Sequence, residues 1–133
     1  MCSASSAARL AEWVDGGGWV AIAGDRVPVQ SQQTVEVEFL GHAAPFPLGP
    51  YVLGTLLKCP LVAMTCTHQG AGYVLQFEQL CERVSLPRAT RQAALQAHAQ
   101  VFARLLERRL VEAPFDWFNF YPFWDTPRAA PPR

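Results

Sequence analysis

The segment from residue 34 to residue 61 places a strand pattern, a proline-rich turn and an apolar helix directly after one another. Residues 34–40 (TVEVEFL) alternate apolar with acidic side chains, which is typical of a strand with one exposed face. A turn is then predicted by Pro45, Pro47, Gly49 and Pro50. An apolar helix is predicted over 49–58, and Pro60 ends it before another apolar run. This succession favours strands and helices that pack closely on one another.

The rest of the chain continues the alternation. Residues 5–15 predict a short helix capped by Ser5 or Ser6 and ended by three glycines. Residues 19–23 (WVAIA) predict a strand that is buried on both faces. Residues 61–67 (LVAMTCT) and 73–80 (YVLQFEQL) predict a hairpin around the turn HQGAG.

A long helix is predicted over 88–111, with its leucines near one stripe. Strands that alternate with helices predict an α/β fold, in which a mixed sheet is flanked by helices. We expect one domain over residues 1–125 and a flexible tail over 126–133, because the last residues are rich in proline and alanine.

Composition excludes several classes of function. The formal net charge is zero, whereas a nucleic-acid partner calls for a clustered basic face, so no nucleic acid is predicted. No apolar run approaches the ~18 residues of a membrane span, and the first residues do not resemble a signal peptide. The cysteines and histidines show no metal-ligand spacing, so we predict reduced thiols, no metal and no cofactor.

Asp25 and Arg26 form the most polar junction in an otherwise apolar region. They follow the predicted strand 19–23, and sites in open α/β sheets collect at the carboxyl ends of strands. A carboxylate there can orient a catalytic group or bind an acceptor hydroxyl, and a guanidinium can hold phosphate or carboxylate. The other interpretation is a local ion pair or a capped turn that closes the strand.

The stretch APFDWFNFYPFW contains seven aromatic residues, at positions 115, 117, 118, 120, 121, 123 and 124. Such a segment can be a strap that packs across the core, with Trp and Tyr hydrogen-bonding at its edge. It can also be an interfacial belt at the level of lipid headgroups. We favour the strap, because Asp116 and Asn119 need partners that a lipid surface would not supply, but periodicity does not decide between the two.

Three stretches together resemble a known family: residues 18–29 (GWVAIAGDRVPV), 39–62 (FLGHAAPFPLGPYVLGTLLKCPLV) and 113–124. They are similar, in this order, to the bacterial lipid A biosynthesis (lauroyl/myristoyl) acyltransferases of the lysophospholipid acyltransferase superfamily. The resemblance implies transfer of a fatty acyl group from an acyl carrier protein thioester to a hydroxyl of a lipid or glycolipid acceptor. It also implies a peripheral location at a membrane surface, on the cytoplasmic side of the bacterial inner membrane.

The resemblance also implies substrate-binding residues. The family's strand that ends in an acidic residue matches Asp25 and Arg26, and its glycine-bearing turn before a helix matches Phe46, Leu48 and Gly49. These five positions are the predicted substrate-binding residues.

One feature of the superfamily is missing. Its chemistry depends on a His-x-x-x-x-Asp/Glu motif, in which histidine takes the proton of the acceptor hydroxyl. The residues five positions after His42, His68 and His98 are Pro, Tyr and Ala, so no catalytic residue is predicted. We therefore expect the chain to correspond to the C-terminal part of such an acyltransferase and to be catalytically incomplete alone. The alternative is a non-catalytic module that binds lipid or a partner, and either protein could associate through exposed apolar surface.

Overall fold

The computed structural model describes residues 4–27 and 33–124, with side chains from residue 6 onward. In this part of the chain the elements are α1 (Ala4–Asp15), β1 (Thr34–Phe39), β2 (His42–Pro47), α2 (Gly49–Leu57), β3 (Leu61–Gln69), β4 (Gly72–Cys81), a 3-10 turn (Arg88–Thr90) and α3 (Arg91–Glu112). None of the described helices is both long and apolar enough to cross a membrane. The predicted tail 126–133 lies outside the described residues.

The predicted α/β class is confirmed, as are the strand near 34–40, the hairpin of β3 and β4, and all three helices. The arrangement of the strands differs from the single mixed sheet that the sequence predicted. The described strands form two separate antiparallel pairs, β1 with β2 and β3 with β4. Helix α1 begins at Ala4, so Ser5 and Ser6 lie inside its first turn and not at the predicted cap position, which is outside the described residues.

The prediction of a buried strand over 19–23 is wrong. These residues have no regular secondary structure, no described strand pairs with them, and Trp19 and Ile22 are 75% and 50% exposed. A strand buried on both faces needs neighbours that satisfy its N–H and C=O groups. An apolar run alone does not reveal whether such neighbours exist, and here the run lies along a cleft instead.

Strand β2 was not predicted, because its two prolines suggested a turn. The register explains why the prolines are tolerated. The N–H of Leu48 donates to the C=O of Gln33 at 3.1 Å. Counted backward along β2 from Leu48, every second residue therefore directs its backbone nitrogen toward β1. Pro45 and Pro47 fall on the alternate positions, where no N–H is required for the ladder.

Two residues, Leu40 and Gly41, connect β1 to β2. Both have positive φ angles, 51° and 78°, which is the signature of a tight hairpin turn whose twist matches the strands. Glycine adopts this conformation readily, whereas leucine adopts it at a cost. The N–H of Leu40 donates to Oε1 of Glu107 at 2.8 Å, which helps to hold the turn in place.

The core lies between the β1–β2 hairpin and α3. The hairpin contributes its inward side chains and α3 contributes one stripe, and the buried set comprises Val35, Val37, Phe39, Ala44, Phe46, Leu95, Ala99, Ala103 and Leu106. The alternation of Glu36 and Glu38 with these strand residues leaves both carboxylates on the exposed face. Burial of the larger side chains supplies most of the driving force, at about 25 cal/mol per Å² of apolar surface.

Helix α3 also covers the open edge of β1. The side-chain amide of Gln100 accepts from the N–H of Glu38 at 2.9 Å and donates to its C=O at 2.7 Å. Gln96 donates to the C=O of Glu36 at 3.1 Å. These amide groups take the place of a neighbouring strand, so this edge is not free to pair with another chain.

The same helix reaches the second hairpin through its last turns. Arg108 and Arg109 contact the carboxylate of Glu78 on β4, with N–O distances of 2.7 and 3.4 Å. Helix α3 therefore joins the two otherwise separate sheets.

We predict that Gln100→Met lowers the free energy of unfolding by about 1 kcal/mol, because methionine keeps the length of the side chain but leaves the N–H and C=O of Glu38 without the amide. Gln92→Met, at an exposed position of the same helix, is the matched control and should change it by less than about 0.5 kcal/mol. Urea denaturation followed by circular dichroism measures both. Equal effects of the two substitutions would contradict the proposed role of Gln100.

Candidate functional site

A cleft of about 1000 Å³ opens between the irregular segment 17–25, helix α2, the β3–β4 hairpin and the second half of α3. We call it the apolar cleft, because its walls are mainly hydrophobic and include Ile22, Leu53, Leu57, Met64, Phe102 and Leu106. A cavity of this size is at the upper end of the about 300–1,000 Å³ that small-molecule sites occupy.

The irregular segment 17–25 is packed closely against the rest of the wall. A Cβ atom at Gly24 would lie 2.8 Å from the ring of Phe102, so a larger residue at this approach of the backbone to α3 would have to displace that ring. At Gly49 a Cβ atom would lie 3.3 Å from Cδ1 of Ile22, so the start of α2 also approaches this segment closely. These two contacts fix where the following residue, Asp25, enters the cleft.

Asp25 lines the apolar cleft and accepts a hydrogen bond from Nε1 of Trp117 at 2.9 Å. Arg26 points away from the cleft. Its guanidinium donates to the C=O of Phe118 and lies 5.9 Å from the ring centroid of Tyr121. Both residues of the pair thus bind the segment 115–124, which we call the aromatic strap.

The other three predicted substrate-binding residues lie behind or beside the cleft. Phe46 is fully buried, with ring centroids of Phe39 and Phe123 at 5.4 and 5.7 Å. Leu48 and Gly49 are half-buried at the start of α2, where the C=O of Leu48 accepts from the first N–H groups of the helix. The structure therefore brings Asp25 to the cleft, Gly49 to its margin and Phe46 to the core.

Two polar residues of the cleft have no motif in the sequence that points to them. Thr67 is 4% exposed, and its Oγ1 has no hydrogen-bond partner in the part of the chain that the structure describes. Arg109 binds Glu78 and Glu112 through its terminal nitrogens, but its Nε is likewise unsatisfied there. They belong to β3 and α3, far apart in sequence, so local spacing gives no signal for them.

The histidines lie outside the cleft lining. His42 and His68 are exposed, and His98 stacks on Tyr51 with centroids 6.0 Å apart. Burial, and to a smaller extent the Cys81 charge, raise the pKa of the Tyr51 phenol, so this lining residue stays neutral at ordinary pH. Within residues 4–27 and 33–124, no group of His, Cys, Asp or Glu side chains is arranged to hold a metal ion.

Comparison with known families shows which family the chain belongs to. The sequence matches the bacterial lipid A biosynthesis acyltransferases over residues 5–126, which is nearly the whole chain. The chain belongs to this acyltransferase family. No curated protein matches it.

Membership gives a family-level function, lipid A acyltransferase-type chemistry, which requires an acyl donor and a lipid acceptor. The resemblance noted in the sequence is confirmed at this level. In this acyltransferase chain, the matched region contains the cleft, the Asp25–Arg26 pair and the aromatic strap.

We predict that the Asp25–Trp117 hydrogen bond stabilises the fold, because it joins the segment that ends at Asp25 to the aromatic strap. In a double-mutant cycle of Asp25→Ala and Trp117→Phe, the two effects on unfolding free energy should be non-additive by about 1 kcal/mol. Asp15→Ala, at the exposed end of α1, is the control and should be additive with Trp117→Phe. Additivity in the Asp25 cycle, measured by urea denaturation, would show that the contact contributes nothing.

Proposed function

We propose that this chain binds the fatty acyl group of the family's transfer reaction in the apolar cleft. The acyl group comes from an acyl carrier protein thioester, and its acceptor is a hydroxyl of a lipid or glycolipid. The observation that carries the proposal is the cleft itself, a cavity of about 1000 Å³ with mainly apolar walls in a member of an acyl-transferring family.

The shape of the lining supports an elongated apolar ligand. The hydrophobic walls come from the segment 17–25, from α2, from the β3–β4 hairpin and from α3, so a chain placed between them is removed from water along its length. Each buried methylene contributes about 0.8 kcal/mol, which makes a fatty acyl chain the ligand class that such walls select.

The polar groups at the cleft indicate how the substrates would be oriented there. Asp25 accepts one hydrogen bond from Trp117, and a carboxylate has capacity for further donors such as an acceptor hydroxyl. Thr67 Oγ1 and Arg109 Nε are unsatisfied donors within the described residues, and both suit a carbonyl or phosphate oxygen.

The remaining predicted substrate-binding residues hold the segments around the cleft in place. Arg26 fixes the aromatic strap beside Asp25, and its guanidinium has further N–H groups for an anionic part of the acceptor. Leu48 and Gly49 shape the turn that begins α2, and Phe46 supports this turn from the core. We propose the cytoplasmic side of the bacterial inner membrane as the place of action, since both proposed substrates are available there.

A second candidate is a non-catalytic lipid- or partner-binding module. The observation that favours it is the sequence itself, because none of the three histidines precedes an acidic residue in the spacing His-x-x-x-x-Asp/Glu. A lipid-binding module would also bind an acyl chain in the cleft, whereas a partner-binding module would not. The two candidate functions differ in whether a protein that contains this chain transfers the acyl group to an acceptor.

We predict that the chain binds myristoyl-pantetheine, a soluble thioester that carries the proposed acyl group, and that Ala23→Trp weakens binding at least about tenfold. Ala23 is exposed and lines the cleft, so an indole there occupies space that the acyl chain needs. Isothermal titration calorimetry measures the dissociation constant.

Ala97→Trp is the matched control, because Ala97 is exposed on α3 outside the cleft lining. Its dissociation constant should stay within about twofold of the wild-type value. No binding by the wild-type chain, or the same loss in both variants, would contradict an acyl-binding role for the cleft.

A further inference from the structure

The aromatic strap separates into packed and exposed rings. Trp117 and Phe123 pack against the buried ring of Phe39, with centroids at 5.3 and 5.7 Å. Phe115 and Phe120 are each 90% exposed. The strap therefore combines features of the two alternatives that the sequence left open. Part of it packs on the core, and part of it is exposed.

Phe115 lies just before Trp117, whereas Phe118 and Phe120 are held between anchors on both sides. Before them, Trp117 binds Asp25 and packs on Phe39; after them, Phe123 is 4% exposed in the core and Trp124 donates to the C=O of Phe39 at 3.4 Å. Between these anchors Phe118 is 64% exposed, with its ring 6.3 Å from that of Phe120. Apolar rings in a loop fixed at both ends expose surface that folding could otherwise bury, which points to a partner.

The described carboxylates near this loop are engaged by partners within the protein. Glu112 is paired with Arg109, and Asp116 accepts from the N–H of His68. Arg26 donates to the C=O of Phe118 beneath the loop and lies near the Tyr121 ring. The outward face of the loop therefore presents phenyl rings, while the carboxylates that anionic lipid would repel are engaged by the protein and a cation lies at its base.

We propose that Phe115, Phe118 and Phe120 insert into the surface of a lipid bilayer and seat the chain on the membrane that contains its acceptor. Phenyl rings enter the boundary between headgroups and acyl chains, and the adjacent Tyr121 and Arg26 suit the headgroup level. A bilayer is the occupant that fits, because the family's acceptor is a lipid and the described carboxylates near the loop, Glu112 and Asp116, are paired within the protein. This inference rests on the proposed function, since it places the acyl-binding cleft beside the membrane.

The test is co-sedimentation with large unilamellar vesicles of phosphatidylethanolamine and phosphatidylglycerol. We expect the double variant Phe115→Ser/Phe120→Ser to lower the partition coefficient at least about tenfold, since interfacial binding scales with the apolar area that is buried. Tyr73→Ser/Leu75→Ser is the matched control. Both of these residues are exposed on β4 and outside the cleft lining, so this variant should stay within about twofold.

Thermal melts check that both double variants are folded, as the exposed positions lead us to expect. The inference is overturned if the wild-type chain does not bind vesicles, if both variants lose binding equally, or if the loop variant binds as well as wild type. It is also overturned if the loop variant loses only self-association in analytical ultracentrifugation, since the occupant is then a second copy. Titration with myristoyl-pantetheine without vesicles separates this inference from the proposed function. If vesicle binding contradicts the role of the loop but the wild-type chain still binds the thioester, the acyl-binding role of the cleft is not contradicted.

Discussion

The docking of helix α3 along the open edge of β1 is the constraint on which the rest of the structure depends. A two-stranded hairpin has two unpaired edges and is marginal by itself in water. Here Gln96 and Gln100 satisfy backbone groups on the outer edge of β1, and Leu95 and Ala99 pack on its inner face. The helix therefore supplies both the missing hydrogen bonds and the missing half of the core.

The cleft and the strap follow from this docking. Helix α3 reaches Glu78 on the second hairpin and places Phe102 against Gly24, so it spaces the walls of the apolar cleft. The chain that leaves α3 then crosses Phe39 as the aromatic strap and returns to Asp25, which lies far earlier in the sequence. Helix α3 thus brings the segment around Asp25 and the aromatic strap together beside the apolar cleft.

How much could be predicted from the sequence depended on whether the signal was local. The alternation around Val37 and the long stripe of α3 predicted their elements, because burial of one face imposes a period on the residues. Strand β2 was missed, since only its register shows that Pro45 needs no N–H. Asp25 was selected as a candidate from the sequence, but its partner Trp117 was not, because no spacing rule connects residues so far apart. Thr67 was missed for the same reason.

Hydrogen–deuterium exchange at single-residue resolution tests the role of α3 most directly. The N–H groups of Glu38 and Leu40 point away from β2 and bind the side chains of Gln100 and Glu107 on α3. If α3 completes the sheet edge, both amides should exchange within about tenfold of the Val37 amide in the β1–β2 ladder, because they open in the same cooperative event. Exchange of Glu38 and Leu40 at the rate of an unstructured amide, while Val37 stays protected, would contradict it.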